Sequence, residues 1–240
     1  IDLGTTTIVL ELIDLETGAS VHMSSLENPQ RFGGSDVMNR ISYDGQHPNE
    51  LRRTLVQALN HEIQQLCSRY DFVRQEIYEI VVAGNSTMRD ILFRIDVQGI
   101  GQKPYKSQIE NEFLEGLRES TSLTETPRRI GLRANPRARI YSLPLIASHV
   151  GADVAADLVA VGMDQQSESA MLVDVGTNTE VVIAHEGRLV AASCPAGPAF
   201  EGGGITYGMP GYRGAIESIR WHNDSWRYST IGDLAPAGLC

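Results

Sequence analysis

Apolar residues recur at helical spacing in the stretch that follows Asn49. They are Leu51, Leu55, Leu59, Ile63 and Leu66. Residues three and four apart share one face of a helix, so the pattern predicts an amphipathic helix that Asn49 caps and that ends near Arg69. A helix of this kind needs a core against which its apolar face can pack.

Two other stretches show the pattern of strand, tight turn, strand, hairpin turn and third strand. Residues 1–10 (IDLGTTTIVL) and 173–182 (VDVGTNTEVV) share Asp, Gly, Thr, Thr and Val at equal spacing. Hairpin turns follow at residues 16–18 and 186–188. Two copies of one unit predict two related subdomains, which we place at residues 1–139 and 140–240.

Weaker patterns surround these two copies. They predict helices over residues 35–43 and 147–161 and strands over residues 79–83 and 141–144. Gly84-Asn85-Ser86-Thr87 follows the strand at 79–83, and this sequence fits either an anion site at a helix N-terminus or a simple N-cap. Residues 97–139 are polar and poorly periodic, which predicts a segment outside the core.

Composition and charge exclude several classes of function and kinds of site. The 240 residues carry 20 basic and 30 acidic side chains, a net charge of −10, which argues against nucleic-acid binding. The five arginines between residues 128 and 139 are expected to be solvated. The most apolar stretch contains His149, Asp153 and Asp157, so no membrane span is expected. Three scattered cysteines cannot form an iron–sulfur or zinc cage, and they favour the reducing cytoplasm.

The duplicated turns have the chemistry of a phosphate site. Glycine lets the backbone approach a ligand, and the neighbouring N–H groups and hydroxyls can surround an oxyanion. The candidate nucleotide-binding residues are Gly4, Thr5, Thr6, Thr7, Gly176, Thr177, Asn178 and Thr179. Asp2 and Asp174, at the ends of apolar strands, are candidates for holding Mg²⁺. Two such hairpins facing each other across a cleft would clamp the phosphates of a nucleotide.

Two further carboxylates are candidates for orienting the attacking water. Asp153 precedes the second hairpin within the helix predicted at 147–161, and Glu201 follows that hairpin in a glycine-rich stretch. Asp153 is equally well explained as an ordinary solvated carboxylate, and Glu201 as a carboxylate at a helix start. With Asp2 and Asp174 they make up the candidate catalytic set.

The duplicated D-x-G-T hairpins resemble those of the actin-like ATPase (ASKHA) superfamily, whose fold is α/β with ribonuclease H-like subdomains and mixed sheets flanked by helices. Several motifs resemble one family within it, the reductive activators of corrinoid enzymes (RACo-like and RamA-like proteins). The motifs are Asn28-Pro29-Gln30, Gly34-x-Asp36-Val37-x-x-Arg40-Ile41, residues 82–88, Gly151-Ala152-Asp153, residues 174–180 and residues 197–202. Thr179 and Ser86 depart mildly from the family pattern.

The resemblance implies a function. Members of this family use ATP and Mg²⁺ to return a corrinoid protein of a methyltransferase system from Co(II) to Co(I). The electron donor is an iron–sulfur cluster, and a 2Fe–2S cluster is expected only in a part of the parent protein outside these residues. The resemblance also suggests a homodimer.

Two alternatives remain open from the sequence. One is a small-molecule kinase of the acetate and sugar kinase superfamily, for which Asp153 could serve as the base. The other is a nucleotide-switched, chaperone-like interaction module, although a chaperone should carry a triple-glycine second hairpin where this chain has residues 174–178.

The ends of the sequence suggest a window on a longer protein. Asp2 falls at the end of the first core strand, and residues 236–240 resemble the opening of the family's G-I-C-G-S-G segment. The adenosine-side residues are therefore expected beyond residue 240. We expect residues 1–240 alone to bind ATP weakly or not at all.

Overall fold

The computed structural model describes residues 1–165, 168–197, 206–209 and 211–239. Its chain divides into two compact units, one comprising Ile1–Leu172 and Val181–Ala192 and the other Val173–Glu180 and Ser193–Cys240. The sequence-based boundary after residue 139 stays a prediction. No helix among the described residues is both long enough and apolar enough to cross a membrane.

Strands and helices alternate along the chain. The strands are β1 Asp2–Leu3, β2 Thr7–Ile13, β3 Ser20–Glu27, β4 Glu79–Gly84, β5 Leu123–Glu125, β6 Arg139–Ser142, β7 Ala170–Val175, β8 Asn178–His185, β9 Arg188–Pro195, β10 Ala215–His222, β11 Ser225–Thr230 and β12 Gly238–Leu239. The helices are α1 Val37–Gln46, α2 Glu50–Tyr70, α3 Ser86–Phe93, α4 Gln108–Leu114, α5 Pro127–Ile130 and α6 Ala152–Ala160.

A mixed six-stranded sheet forms the frame of the first unit. Its strand order is β3-β2-β1-β4-β6-β5. β1 pairs antiparallel with β2 and parallel with β4, so that Leu3 lies beside Gly84. The turn after β1 and the turn after β4 therefore leave the sheet at the same edge, which brings their residues together.

The helix predicted after Asn49 is confirmed as α2, and its five patterned residues are buried in the core. Asn49 is the N-cap residue, but it has left-handed backbone angles and its side chain makes no capping hydrogen bond. The exposed arginines between residues 128 and 139 also match the expectation of solvation.

The prediction that residues 97–139 lie outside the core is wrong. This segment contributes β5 to the sheet edge and buries Ile100, Ile109 and Ile130, which are 1%, 2% and 1% exposed. Its elements are only three to seven residues long, so each contributes one or two apolar anchors. Anchors that sparse show no periodicity, which explains the error.

The helix predicted over 147–161 begins later than expected. α6 starts at Ala152, with Gly151 as its N-cap residue, and a bridge between Ala147 and Val150 precedes it. Residues 147–151 therefore lie outside the helix.

The second copy of the repeat has the strand pattern of the first. β7, β8 and β9 form a sheet in that order, as β1, β2 and β3 pair in succession within the larger sheet. β10, β11 and β12 form a separate three-stranded sheet. The α/β class and the duplication are confirmed.

Candidate functional site

The first turn of the repeat, Gly4-Thr5-Thr6, connects β1 to β2. A Cβ atom on Gly4 would lie 2.3 Å from the carbonyl oxygen of Thr7, far inside van der Waals contact. Any side chain at this position would force the backbone to move, so glycine is required for the turn to close.

The three carbonyl groups of this turn all accept hydrogen bonds from the body of the first unit. Asn28 Nδ2 donates to Gly4 O (2.8 Å), and the backbone N–H of Asn28 donates to Thr6 O (2.7 Å). Arg40 Nη2 donates to Thr5 O (2.6 Å). The C=O and N–H of a trans peptide point in opposite directions, so the N–H groups of Thr5 and Thr6 point away from these donors. These bonds fix the orientation of the peptide groups of the turn, and the binding of an anion by its N–H groups stays a prediction.

The side chain of Thr5 is also held from within. It is 7% exposed, and its Oγ1 accepts a hydrogen bond from Asn85 Nδ2 (2.9 Å). The Oδ1 atom of Asn85 accepts from the Met88 amide (3.0 Å) and so caps α3. The N-cap interpretation of residues 84–87 is confirmed for Asn85, and the cap also supports the hairpin. The anion-site interpretation stays a prediction.

Close backbone packing brings Asp153 to the same edge of the sheet. A Cβ on Gly151 would lie 2.6 Å from Asn85 Cα and 3.0 Å from Gly84 O. The start of α6 therefore lies directly against the strand end that supports Thr5. Asp153 stands in the first turn of α6, where its Oδ1 accepts from the Val154 amide (2.9 Å).

A buried charge pair lies behind Asp153. Arg89 and Asp90 are both fully buried, and Arg89 Nη2 lies 2.7 Å from Asp90 Oδ1. Burial lowers the pKa of the Arg89 guanidinium, while the carboxylates of Asp90 and Asp153 act in the opposite direction. Asp153 therefore belongs to an electrostatic network inside the first unit.

The second turn is held differently. The Gly176 amide donates to Asn178 O (2.9 Å), and Thr177 O accepts from the amides of Ala196 (3.3 Å) and Gly197 (2.9 Å), just after β9. A Cβ on Gly176 would meet Asn178 O at 3.4 Å, an ordinary contact. The side chain of Thr177 is 8% exposed, as buried as that of Thr5.

The predicted site residues fall into two groups. Asp2, residues 4–7 and Asp153 lie in the first unit, and residues 174–179 lie in the second. Asp2 is exposed, whereas Asp174 is half-buried, and burial raises the pKa of the Asp174 carboxyl. Glu201 lies outside the described residues. The facing of the two hairpins across a cleft stays a prediction.

The sequence did not single out the supporting roles of Asn28, Arg40 and Asn85. All three stand in the motifs noted above, so the motifs were the available signal. Their roles depend on hydrogen bonds across 24 to 80 residues of chain, which no local pattern encodes.

The donor set fits Mg²⁺ only together with a nucleotide. No cluster of three or more His, Cys, Asp or Glu side chains that could hold a metal is found among the described residues. Mg²⁺ is commonly bound by one or two carboxylates with phosphate oxygens and water completing its octahedron. Asp2 in the first unit and Asp174 in the second are each a carboxylate of that kind, and that they hold one cation together stays a prediction. The cysteines described, Cys67 and Cys194, are free, and two thiols cannot complete a four-cysteine cluster.

The duplicated three-stranded units with glycine-threonine turns agree with the actin-like ATPase (ASKHA) class, and comparison with known proteins places the chain within it. Residues 1–166 match the model of the RACo middle region, and residues 168–240 match that of the C-terminal domain of RACo, the ASKHA domain. The chain belongs to the RACo family. The expectation drawn from the sequence motifs is confirmed.

Relatives and a solved structure agree with this assignment. The chain is 34% identical over 244 residues to the corrinoid activation enzyme RamQ of Eubacterium limosum, covering 100% of this chain and 39% of that protein. It is 24% identical to the Co(II) methylated amine-specific corrinoid protein reductase of Methanosarcina barkeri, covering 95% of this chain and 41% of the relative.

The solved structure is that of a reductive activator for corrinoid, iron-sulfur protein. It is 33% identical to this chain, with a TM-score of 0.87, and the match covers 100% of this chain and 37% of that one. The chain thus spans about two fifths of the length of these relatives.

Proposed function

We propose that this chain is part of the ATPase module of an activator that returns a corrinoid protein from Co(II) to Co(I). The observation that carries the proposal is the preformed first turn, whose three carbonyls are bound by Asn28 and Arg40. The relatives are named for corrinoid activation and corrinoid reduction, and that supports the choice of substrate.

The reaction on the substrate is a one-electron reduction. One electron from a donor converts Co(II) to Co(I), and no atom is transferred to the cobalt. Bound Mg²⁺-ATP would supply the free energy of phosphoryl transfer for this uphill step. The electron donor is proposed to be a 2Fe–2S cluster in a part of the full-length protein outside this chain.

Within the chain, the residues have distinct proposed roles. The amides of Thr5 and Thr6 and the hydroxyls of both turns donate to phosphate oxygens, where negative charge accumulates during hydrolysis. Asp2 and Asp174 hold the cation. Asp153 orients the attacking water, and Glu201 is the second candidate for that role. Conversion of ATP to ADP would then shift the population of conformations that fit the corrinoid partner.

The test follows cobalt directly. The full-length protein is mixed with Co(II) corrinoid protein and a chemical reductant, and the absorbance of Co(I) is recorded with and without ATP. We expect ATP-dependent Co(I) formation, and no such signal would refute the proposed function. Addition of acetate or a sugar in place of the corrinoid protein tests the kinase alternative, for which ATP turnover would require the small acceptor.

A pair of variants tests the site. Asp174→Ala should abolish ATP-dependent Co(I) formation, whereas Glu16→Ala, in the exposed turn between β2 and β3, should leave it unchanged. An Asp174→Ala protein that still activates the corrinoid protein would remove Asp174 from the proposed site. Homodimerisation and a cytoplasmic location stay predictions.

A further inference from the structure

We propose that Arg40 is a positioning residue that acts electrostatically on bound phosphate through the Thr5–Thr6 peptide of the first turn. The inference rests on the proposed function, since it concerns the same nucleotide. It concerns a residue of α1 that does not itself reach the donor surface of the turn.

The guanidinium of Arg40 is buried with neutral partners. Arg40 is 1% exposed, and it donates to Gly34 O (3.0 Å), Met88 Sδ (3.0 Å) and Thr5 O (2.6 Å). Among the described residues, no carboxylate lies within ion-pair distance of Arg40. Asp36, whose charge acts on it from further away, uses its carboxylate to cap α1 through the Asn39 amide.

A buried cation without a counter-ion is unfavourable, and burial lowers the pKa of Arg40 to about 10. A neutral amide, such as that of Asn28, would suffice to bind a carbonyl of the turn. A permanent positive charge at this position is explained if an anion binds on the other face of the turn.

The geometry of the Thr5–Thr6 peptide links the Arg40 charge to the bound anion. Thr5 O and the Thr6 N–H belong to one planar peptide unit and point in opposite directions. A guanidinium bound to Thr5 O polarises this unit and makes the Thr6 N–H a stronger donor, and hydrogen bonds in such chains strengthen one another. The charge also attracts the anion directly through a buried, weakly screening path.

Arg52 provides a matched control. It is 7% exposed and donates to Leu92 O (3.1 Å) and to Ile130 O, so it too is a buried arginine bound to backbone carbonyls. Its partners belong to the end of α3 and to α5, and none belongs to either hairpin. Substitution of Arg52 therefore measures what a buried arginine contributes to folding alone.

The experiment compares Arg40→Met, Arg40→Lys and Arg52→Met in the full-length protein, using melting temperature and the KM and kcat of ATP hydrolysis. Partial unfolding lowers kcat through the amount of active protein but leaves KM unchanged. We expect both methionine variants to melt at lower temperature. Only Arg40→Met should raise the KM for ATP, by about tenfold, and Arg40→Lys should recover part of it because the charge is kept.

An Arg40→Met protein with the wild-type KM would overturn the inference and leave Arg40 a structural residue. Should Arg40→Met not fold, Arg40→Gln takes its place with the same expected rise in KM, since glutamine carries no charge and its amide nitrogen, at the position of Arg40 Nε, can still donate to Gly34 O. Absence of ATP hydrolysis by the wild-type protein would instead refute the proposed function, and the inference with it.

Discussion

The two hairpins share a sequence pattern but differ in how they are held. The first turn is fixed from behind by Asn28, Arg40 and Asn85, which come from three other segments of its unit. Among the described residues, the bonds to Thr177 O in the second turn come from Ala196 and Gly197, just after β9. The first turn is thus bound by three other segments of its unit, and the bonds described for the second turn come from the chain next to its own third strand.

The strands beside the two turns also differ in how far their apolar side chains are buried. Leu3 and Ile8, which flank the first turn, are fully buried in the core of the first unit. Val173 and Val175, which precede the second turn, are 43% and 53% exposed. Sequence identity within a motif therefore does not imply equal preorganisation, because the bonds that fix a turn come from outside it.

The largest expected effect comes from substituting the glycine of each turn, Gly4 or Gly176. In Gly4→Ala the new Cβ would lie 2.3 Å from Thr7 O, whereas in Gly176→Ala the nearest atom is 3.4 Å away. We expect Gly4→Ala to lower the free energy of unfolding by about 1–3 kcal/mol and to lower ATP turnover by about a hundredfold. Gly176→Ala should have a clearly smaller effect on both. Denaturant titration and a steady-state ATPase assay measure them, and equal effects would contradict the difference between the hairpins.

The next effect concerns the side-chain donor that binds the carbonyl oxygen of Gly4. Asn28 is fully buried, and Asn28→Ala removes the Nδ2 donor to Gly4 O, while the backbone N–H of residue 28 can still donate to Thr6 O. We expect a loss of about 1–3 kcal/mol of stability. Amide exchange in β1 and β2, which flank the turn, should accelerate as well. A stability loss without faster exchange in these two strands would show that Asn28 does not hold the turn.

A smaller effect separates the two roles of Asn85. Asn85→Asp keeps an oxygen to cap α3 but lacks the amide donor to Thr5 Oγ1. We expect a stability loss of about 1 kcal/mol with α3 intact by circular dichroism. Ser107→Ala, which removes the cap of α4, is the control and should cost about 1 kcal/mol without changing ATP turnover. If Asn85→Asp leaves ATP turnover unchanged, the bond from Asn85 to Thr5 Oγ1 has no role in the site.

The smallest expected effect lies beside the second hairpin. Ser193 Oγ donates to Glu180 Oε1 at 2.7 Å, and Glu180 is 8% exposed. Ser193→Ala should reduce stability by about 1 kcal/mol or less, with ATP turnover within about twofold of the wild type. A loss as large as that of Asn28→Ala would mean that the second hairpin is held as firmly as the first.

The sequence predicts those parts of the fold that are encoded locally. The duplicated turns and α2 follow from a repeat and a helical period. The pattern of residues 97–139 does not predict their place in the core, because their short elements bury single apolar residues such as Ile109 and Ile130. The burial of Arg40 could not be foreseen, because an arginine is usually exposed unless the tertiary structure supplies its partners.

Amide hydrogen exchange of the full-length protein tests the central claim most directly, by comparing peptides that cover residues 1–10 and 173–182 with and without Mg²⁺-ADP and a phosphate analogue. We predict that the amides of β1 and β2, which flank the first turn, exchange slowly even without nucleotide, and that the turn amides themselves gain protection when nucleotide binds. In the second hairpin the flanking strands should also gain most of their protection only when nucleotide binds. Unchanged exchange in both peptides would contradict phosphate binding at the hairpins, and equal protection before nucleotide is added would contradict the difference between them.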